Sequence, residues 1–165
     1  MESTKKIVLL GQFGVGKTSL LRRFITDEFS KAYKTTLGVQ IKKKTVELPS
    51  GKIMSMIIWD LEGFSSVTKT RASYLFGASA FIHVFDLTRP ATYQNLEEEI
   101  AFIKSKYPKV LLKTVGNKCD EKTPNDFLEY IKDSSVEVQM YTSAKTGEGV
   151  NELFMEIAKK LKHND

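Results

Sequence analysis

Apolar residues follow two different periods along this chain. Near-continuous apolar runs are typical of strands buried on both faces, whereas apolar residues three or four positions apart mark one face of a helix. Such runs predict strands over residues 7–10, 53–59, 80–85, 110–115 and 136–141, and an extended segment is indicated over 39–46. Helical spacing relates Leu20, Leu21, Phe24 and Ile25, then Leu96, Ile100, Ile103 and Tyr107, and finally Val150, Leu153, Phe154, Ile157 and Leu161. Strands that alternate with helices predict an α/β fold with a mostly parallel sheet covered on both faces.

Turn and cap residues mark boundaries between these elements. Pro49-Ser50-Gly51 separates the extended segment from the next run and so predicts a hairpin. Thr123-Pro124-Asn125-Asp126 predicts a helix start, because threonine can cap and proline suits the first turn. No repeat or linker divides the sequence, and we expect residues 1–165 to form one domain.

Composition narrows the class of protein. In the 165 residues no apolar run approaches the roughly twenty that span a bilayer, and no signal peptide precedes the first strand, so we expect a cytoplasmic protein. The single cysteine, Cys119, excludes an internal disulfide and a multi-cysteine zinc cluster. The net charge of +5 comes from scattered lysines without an aromatic stripe, so we expect no nucleic-acid partner.

The segment after the first strand carries a phosphate-binding pattern. Residues 11–18, Gly-Gln-Phe-Gly-Val-Gly-Lys-Thr, fit G-x-x-x-x-G-K-[S/T] between a strand and a helix. In such a loop the backbone N–H groups point at phosphate oxygens, and the helix N-terminus adds its positive dipole. Lys17 would reach the β- and γ-phosphates, and the Thr18 hydroxyl would bind Mg²⁺. The pattern predicts a nucleoside triphosphate without deciding its base.

A second motif indicates the base. Residues 117–120, Asn-Lys-Cys-Asp, follow a predicted strand at the sheet edge where open α/β folds bind ligands. The Asp120 carboxylate can accept hydrogen bonds from the guanine N1–H and amino group, a donor pair that adenine lacks on that edge, while the Lys118 stem can cover the base. Ser143-Ala144-Lys145 follows the last strand and could supply an N–H to the guanine oxygen. Each motif alone could be a polar turn, but their order along the chain favours GTP and GDP.

From about Lys5 to Lys162 the chain resembles the Ras superfamily of small GTPases, in particular its Rab-like branch. The resemblance implies a P-loop GTPase fold, with a six-stranded mixed sheet containing one antiparallel strand and about five flanking helices. It also implies that Phe29 packs against the base or ribose and that Tyr33 closes over the phosphates. Thr36 corresponds to the threonine of a first switch, and Asp60-Leu-Glu-Gly63 corresponds to the D-x-x-G of a second switch.

These motifs and the resemblance define the expected site. The expected nucleotide-binding residues are Gly11, Gly14, Val15, Gly16, Lys17, Thr18, Ser19, Phe29, Tyr33, Thr36, Gly63, Asn117, Lys118, Asp120, Ser143, Ala144 and Lys145. The expected catalytic residues are Lys17, Thr36 and Gly63, and the expected Mg²⁺-binding residues are Thr18, Thr36 and Asp60. Such a GTP/GDP switch would bind effectors through the first switch, near residues 30–41, and the second switch, near residues 60–76. An exchange factor and a GTPase-activating protein are the other expected partners.

Three positions near the expected γ-phosphate depart from the family pattern. Phe64 stands where most members have a glutamine that orients the attacking water, and a phenyl ring can neither donate nor accept, so we expect slow hydrolysis. Phe13 replaces a small residue and could obstruct an arginine supplied by a partner. Glu62 replaces an alanine and could ligate Mg²⁺, repel the γ-phosphate or point to solvent. A competing hypothesis is that Gln12 or Glu62 positions the water instead.

Two other functions are compatible with the sequence. One is a hydrolysis-deficient, GTP-loaded binding or scaffold module, which Phe64 favours, and the other is a P-loop kinase, which the guanine motif disfavours. The sequence carries no terminal prenylation motif, so no lipid anchor is expected in this chain, and we expect a monomer. Either the anchor is absent or a longer tail lies outside this sequence, and peripheral membrane association would need such a tail or a partner. We expect His83 and Trp59 to be structural, and Cys119, without a histidine partner, not to act as a nucleophile.

Overall fold

A computed structural model of the chain describes residues 3–30, 36–64 and 66–163. The strands are β1 (Ser3–Leu10), β2 (Val39–Glu47), β3 (Ile53–Leu61), β4 (Ala80–Asp86), β5 (Leu111–Asn117) and β6 (Met140–Tyr141). The α-helices are α1 (Lys17–Thr26), α2 (Ala72–Leu75), α3 (Leu96–Lys106), α4 (Asn125–Ile131) and α5 (Val150–His163). Short 3-10 turns cover Val67–Lys69 and Pro90–Thr92.

The strands form one sheet in the order β2-β3-β1-β4-β5-β6. The hairpin predicted around residues 49–51 is confirmed: β2 runs antiparallel to β3, with Val39 opposite Leu61, and all other neighbouring strands are parallel. The expected mixed sheet and the expected number of helices are therefore confirmed. Because parallel strands end at the same edge, the residues that follow β1, β4, β5 and β6 meet there.

Two predicted boundaries differ from the structure in detail. The run at 136–141 predicts a longer last strand, but regular pairing covers only Met140 and Tyr141. Just before them, the Gln139 side chain accepts the Thr114 N–H at 2.6 Å, so a side chain replaces the main-chain carbonyl of a regular ladder. The helix start predicted at residues 123–126 is confirmed, since α4 begins at Asn125, but the capping position is Pro124, which offers no side-chain hydrogen bond, so the predicted threonine cap is wrong.

Successive residues of β4 face opposite sides of the sheet and belong to different apolar clusters. Ile82 belongs to the apolar cluster that includes α1 and α5, where Phe24 and Phe154 stack with ring centroids 4.0 Å apart. Phe81 and Phe85 face the opposite side and belong to two separate clusters there. Between them along the strand lies His83, on the same face and only 2 % exposed, which confirms that this histidine is part of the core.

The rim of the sheet near the second switch carries an aromatic contact. Trp59 packs beside Tyr74 of α2, with ring centroids 6.2 Å apart. Lys6 of β1 places its ammonium 3.8 Å from the centre of the Trp59 ring. The packing role expected for Trp59 is confirmed. Across the described ranges, no helix combines the length and the apolar character needed to cross a membrane.

Candidate functional site

The loop between β1 and α1 turns just ahead of the first turn of the helix. Gly16 has a φ of 103°, in the left-handed region that favours glycine, and α1 begins at the next residue. A Cβ atom at Gly16 would lie 2.3 Å from the Nδ2 atom of Asn117. Glycine is therefore required here by the backbone angle and by the close approach of a side chain from another strand.

Lys17 folds back over this loop and is only 6 % exposed. Its ammonium donates to the carbonyl oxygens of Gly11 at 2.8 Å and Gln12 at 3.0 Å. Burial lowers the pKa of Lys17 to about 8, an effect that the negative charge of Asp60 opposes. Carbonyl dipoles compensate a buried ammonium only in part, so a phosphate would be a stronger partner for it.

Three oxygen-bearing side chains converge beside Lys17. The Thr18 hydroxyl donates to Asp60 Oδ2 at 2.5 Å and lies 2.7 Å from the Thr36 hydroxyl. Burial raises the pKa of Asp60, although the Thr18 hydrogen bond and the Lys17 charge oppose the rise. The other carboxylate oxygen, Oδ1, is buried and has no hydrogen-bond partner among the described residues.

This oxygen set fits a magnesium ion. Mg²⁺ prefers hard oxygen ligands and is commonly held by one or two protein groups together with phosphate oxygens. Thr18, Thr36 and Asp60 offer two hydroxyls and a carboxylate, and the unsatisfied Oδ1 atom of Asp60 gives a cation or its bound water a buried negative partner. Sequence reasoning named these three residues, and the structure brings them together.

The residues expected at the base are held by buried partners. Ser143 donates its hydroxyl to Asp120 Oδ1 at 2.7 Å, which orients the carboxylate. Lys118, whose φ of 66° lies in the left-handed region, pairs its ammonium with the fully buried Asp86 at 2.8 Å. The N–H and hydroxyl of Thr88 in turn donate to Asp86 at 2.8 and 2.6 Å. Both side chains are therefore fixed in place.

Asn117 joins the phosphate end of the site to the base end. Its side-chain amide donates to the Val15 carbonyl at 3.0 Å. Its carbonyl oxygen accepts from the Thr142 hydroxyl at 3.0 Å and from the Ala144 N–H at 3.3 Å. Sequence reasoning placed Asn117 among the nucleotide contacts, and the geometry gives it a bracing role between three loops.

The second switch lies against the phosphate loop. A Cβ atom at Gly63 would be 2.5 Å from both the N and Cα atoms of Phe13, so only glycine permits this approach. Phe13 itself is 47 % exposed at the mouth of the site. Phe64, the residue after Gly63, is half-buried. Gly63 therefore brings the second switch against the main chain of Phe13.

Glu62 connects the two switches. Its main-chain N–H donates to the Gly38 carbonyl at 2.7 Å, and its Oε2 atom accepts the Gly38 N–H at 3.3 Å. The carboxylate thus lies on the first switch, an arrangement that differs from each of the three orientations considered from the sequence. The main-chain hydrogen bond between Glu62 and Gly38 extends the pairing of β2 with β3 by one more residue on each strand.

A cavity of about 240 Å³ lies between these segments. Most of the expected nucleotide-binding residues line it, namely Gly14, Gly16, Lys17, Thr18, Ser19, Phe29, Thr36, Gly63, Asn117, Lys118, Asp120, Ala144 and Lys145. Gly11, Val15 and Ser143 support the lining through the contacts described above, and Asp60 reaches it through Thr18. Tyr33 lies outside the described residues.

Four lining residues were missed by sequence reasoning: Arg22, Ser30, Leu61 and Glu121. Helical spacing could have indicated Arg22, because it lies four residues after Thr18 and so on the same face of α1. The other three adjoin expected site residues in the sequence. Adjacency alone does not decide which way a side chain points, so these positions needed the structure.

Cys119 lies between the two base residues and is half-buried. Its thiol donates to Glu148 at 3.6 Å. Burial raises the pKa of Cys119 to about 11, and the negative charge of Glu148 adds to the rise. Because the thiolate is the reactive form, this site agrees with the expectation that Cys119 is not a nucleophile.

We expect slow alkylation of Cys119 in the folded protein. A pKa raised from 9.0 to about 11 lowers the thiolate fraction at neutral pH about a hundredfold, so iodoacetamide should react about a hundredfold more slowly than with the urea-unfolded chain. The rate should rise about tenfold per pH unit and level off only near pH 11. Mass spectrometry of the single thiol measures it. A plateau near pH 9, or no acceleration in Glu148→Gln, would contradict the assignment.

Two comparisons with known proteins agree with these motifs. The Ras family model matches residues 6–163. Among curated proteins the chain is similar to the Ras-related protein Rab-22A of Mus musculus, Canis lupus familiaris and Homo sapiens. Each is 32% identical to this chain, over 97% of its length and 84% of the relative.

Proposed function

The chain belongs to the Ras family of small GTPases and is Rab-like, and from this premise we propose that it is a GTP/GDP switch with Mg²⁺-dependent, slow GTP hydrolysis. One observation carries the proposal: Lys17 and Thr18 at one end and Asp120 at the other line the same cavity. A single guanine nucleotide can therefore contact both ends. The proposal treats residues 1–165 as one G domain.

Binding would replace contacts that the site now makes internally. Lys17 would exchange the carbonyls of Gly11 and Gln12 for phosphate oxygens, which satisfy a buried ammonium better. The N-terminus of α1 would add its dipole and backbone N–H groups. Thr18, Thr36 and Asp60 would hold Mg²⁺, which would neutralise part of the phosphate charge.

The direct test of nucleotide choice is a titration with fluorescent GTP, GDP and ATP analogues in the presence of Mg²⁺. Asp120, oriented by Ser143, offers acceptors to the guanine N1–H and amino group, whereas adenine presents no such donor pair. Guanine nucleotides should therefore bind far more tightly than ATP. Equal affinity for ATP would overturn the proposal.

The switch itself would rest on two loops at the phosphate end. The Thr36 hydroxyl beside Thr18 and the main chain of Gly63 beside Phe13 face the place where a γ-phosphate would lie. Loss of that phosphate would remove the group that both loops share. Because Glu62 ties the second switch to Gly38 of the first, the two loops would respond together. Effectors would bind the ordered form.

Slow hydrolysis is proposed from the side chains around this end. Phe64 has no polar atom with which to orient a water. The two alternative candidates have other partners, since Gln12 donates to the Ala91 carbonyl at 3.0 Å and Glu62 accepts from Gly38. The exposed ring of Phe13 would also obstruct an arginine from an activating partner. Positioning provides much of the catalysis in this chemistry, so its loss should slow turnover.

Phe64→Gln should therefore hydrolyse GTP faster than the wild type, by about tenfold or more. The amide restores a donor and an acceptor at the position next to Gly63, so it can orient the attacking water. Phosphate release in a single turnover of preloaded protein measures the rate. Phe64→Leu is the matched control, because it removes the ring without adding a polar group.

Two outcomes would contradict the water-positioning argument. Wild-type hydrolysis as fast as in relatives that carry the glutamine would mean that another group orients the water. A rate in Phe64→Gln equal to that of Phe64→Leu would mean that the missing amide does not limit the reaction. In the second case Phe13→Gly would show whether the other ring is responsible.

A second candidate function is a GTP-loaded binding module that does not hydrolyse its nucleotide. Phenylalanine at both position 13 and position 64 favours it, because neither side chain can orient a water. The nucleotide that copurifies with the protein separates the two proposals: GDP indicates turnover, whereas GTP in protein with intact affinity indicates a loaded module. Both proposals share the same binding site.

The partners proposed are those of a nucleotide switch. Effectors would bind through residues 30–41 and 60–76, an exchange factor would speed GDP release, and a GTPase-activating protein would have to accommodate Phe13. A monomeric state and a cytoplasmic location remain predictions from the sequence. No nucleic-acid partner is proposed.

A further inference from the structure

A pair of ionisable side chains interrupts the apolar face of the sheet under α3. The Nε2 atom of His83 on β4 lies 2.8 Å from the Oε2 atom of Glu99 on α3. Both side chains are buried, His83 at 2 % and Glu99 at 5 % exposure. The pair lies between the apolar cluster that contains Phe81 and the one that contains Phe85. None of the proposed nucleotide contacts uses it.

The second oxygen of Glu99 reaches the second switch. Oε1 accepts the main-chain N–H of Val67 at 3.1 Å, in a buried setting. Val67 begins the 3-10 turn over Val67–Lys69, and its side chain is buried in the same apolar cluster as Leu75 and Phe81. The carboxylate therefore links three elements: β4 through His83, α3 through its own backbone, and the second switch through one amide.

Burying these two ionisable side chains costs free energy, and core packing alone gives no reason for having them there. Apolar side chains at both positions would join the two clusters and avoid burying a carboxylate, and such replacements are often neutral or stabilising. What they could not do is accept the Val67 N–H. A buried amide without an acceptor is costly, so the carboxylate fixes where Val67 can lie.

The position of Val67 bears on the closed arrangement of the site, by which we mean Thr36 beside Thr18 together with Gly63 against Phe13. Gly63 and Val67 belong to one short segment, so holding Val67 on α3 restricts where Gly63 can go. We propose that Glu99, oriented by His83, is a positioning residue that holds the second switch in this closed arrangement and so favours GTP over GDP. The inference rests on the proposed nucleotide switch.

The test is a set of variants that separates the acceptor from the packing. His83→Leu/Glu99→Met removes both polar groups and leaves neither one orphaned, while Glu99 becomes a side chain of similar length that cannot accept. Glu99→Gln is the conservative control, because its carbonyl can accept from Val67 while its amide donates to the other tautomer of His83. Glu98→Gln, exposed on α3, controls for the change in charge.

Two readouts are compared at equal Mg²⁺. Hydrogen exchange of the Val67 amide should become about tenfold faster in the double variant and stay unchanged in Glu99→Gln. Dissociation of a non-hydrolysable fluorescent GTP analogue should become about fivefold faster or more, with GDP dissociation unchanged. If Glu99 served core packing alone, the ratio of the GTP-analogue dissociation rate to the GDP dissociation rate would not change.

If the double variant does not fold, Val67→Pro removes the donor instead. Proline suits the first position of the turn, and Ser66 before it is already extended, with φ −153° and ψ 145°. Val67→Pro should also weaken binding of the GTP analogue without weakening binding of GDP. Equal acceleration for both nucleotides, no change in either, or Glu99→Gln behaving like the double variant would overturn the inference. If the wild type binds no guanine nucleotide, the proposed function fails, and exchange at Val67 still shows whether Glu99 holds the switch.

Discussion

Replacing Asp120 by alanine should lower the affinity for GTP and GDP by about 10²- to 10⁴-fold. The variant would lose the two charge-assisted hydrogen bonds proposed to the guanine edge, each worth about 1.5–3 kcal/mol. The loss should be of similar size for the two nucleotides, because the base is the same and lies far from the γ-phosphate. Competition against a fluorescent GDP analogue measures both affinities.

Asp120→Asn should change the preferred base rather than abolish binding. Asparagine offers one acceptor and one donor, which match the N1–H and the 2-carbonyl of xanthine, so xanthosine nucleotides should bind more tightly than guanosine nucleotides. Glu121→Gln, which removes the neighbouring carboxylate that also lines the cavity, is the matched control and should keep guanine selectivity. Unchanged guanine affinity in Asp120→Ala would mean that the base lies elsewhere.

Lys17→Met should weaken binding of both nucleotides by about 10²-fold or more. Methionine keeps much of the side-chain length but removes the buried ammonium, and charge-assisted contacts to phosphate are each worth about 1.5–3 kcal/mol. The loss should be larger for GTP than for GDP, because the ammonium is proposed to contact the γ-phosphate as well. Base selectivity should stay intact, since Asp120 is untouched.

Lys104→Met on the exposed face of α3 is the matched control for that experiment. It removes the same charge from the protein far from the cavity, so it reports any effect of net charge alone. If Lys17→Met bound GTP as well as the control did, the loop between β1 and α1 would not be the phosphate site. Circular dichroism on both variants would show that the fold is retained.

The sequence predicted those parts of the site that depend on spacing within one loop. Gly16, Lys17 and Thr18 lie where the phosphate-binding pattern places them, because a strand, a tight turn and a helix N-terminus leave little choice of geometry. The place of Asp120 at the cavity was predictable for a similar reason, since parallel strands end at the edge where open α/β sheets form their clefts. The apolar runs likewise predicted β4 and β5, which are buried on both faces.

Contacts between distant segments could not be predicted in the same way. Nothing local indicates that Glu99 would accept from Val67, or that Glu62 would turn to Gly38, because these pairs depend on how separate elements pack. The Gln139 side chain shortened the last strand for a related reason: its bond to Thr114 exists only once β5 is in place. Side-chain direction, rather than element type, was the missing information.

The bracing amide of Asn117 has a consequence for the kind of ligand that fits. It fastens the Val15 carbonyl to the loop that carries Ala144, and Ser143 of that loop holds the Asp120 carboxylate, so the span between the ammonium of Lys17 and this carboxylate is set by the fold. Such preorganisation spares the complex an entropic cost at the moment of association. It also makes molecular length a selection criterion: inorganic triphosphate or guanosine alone would occupy one end each, and a ligand with a longer bridge between base and phosphates would miss one of them.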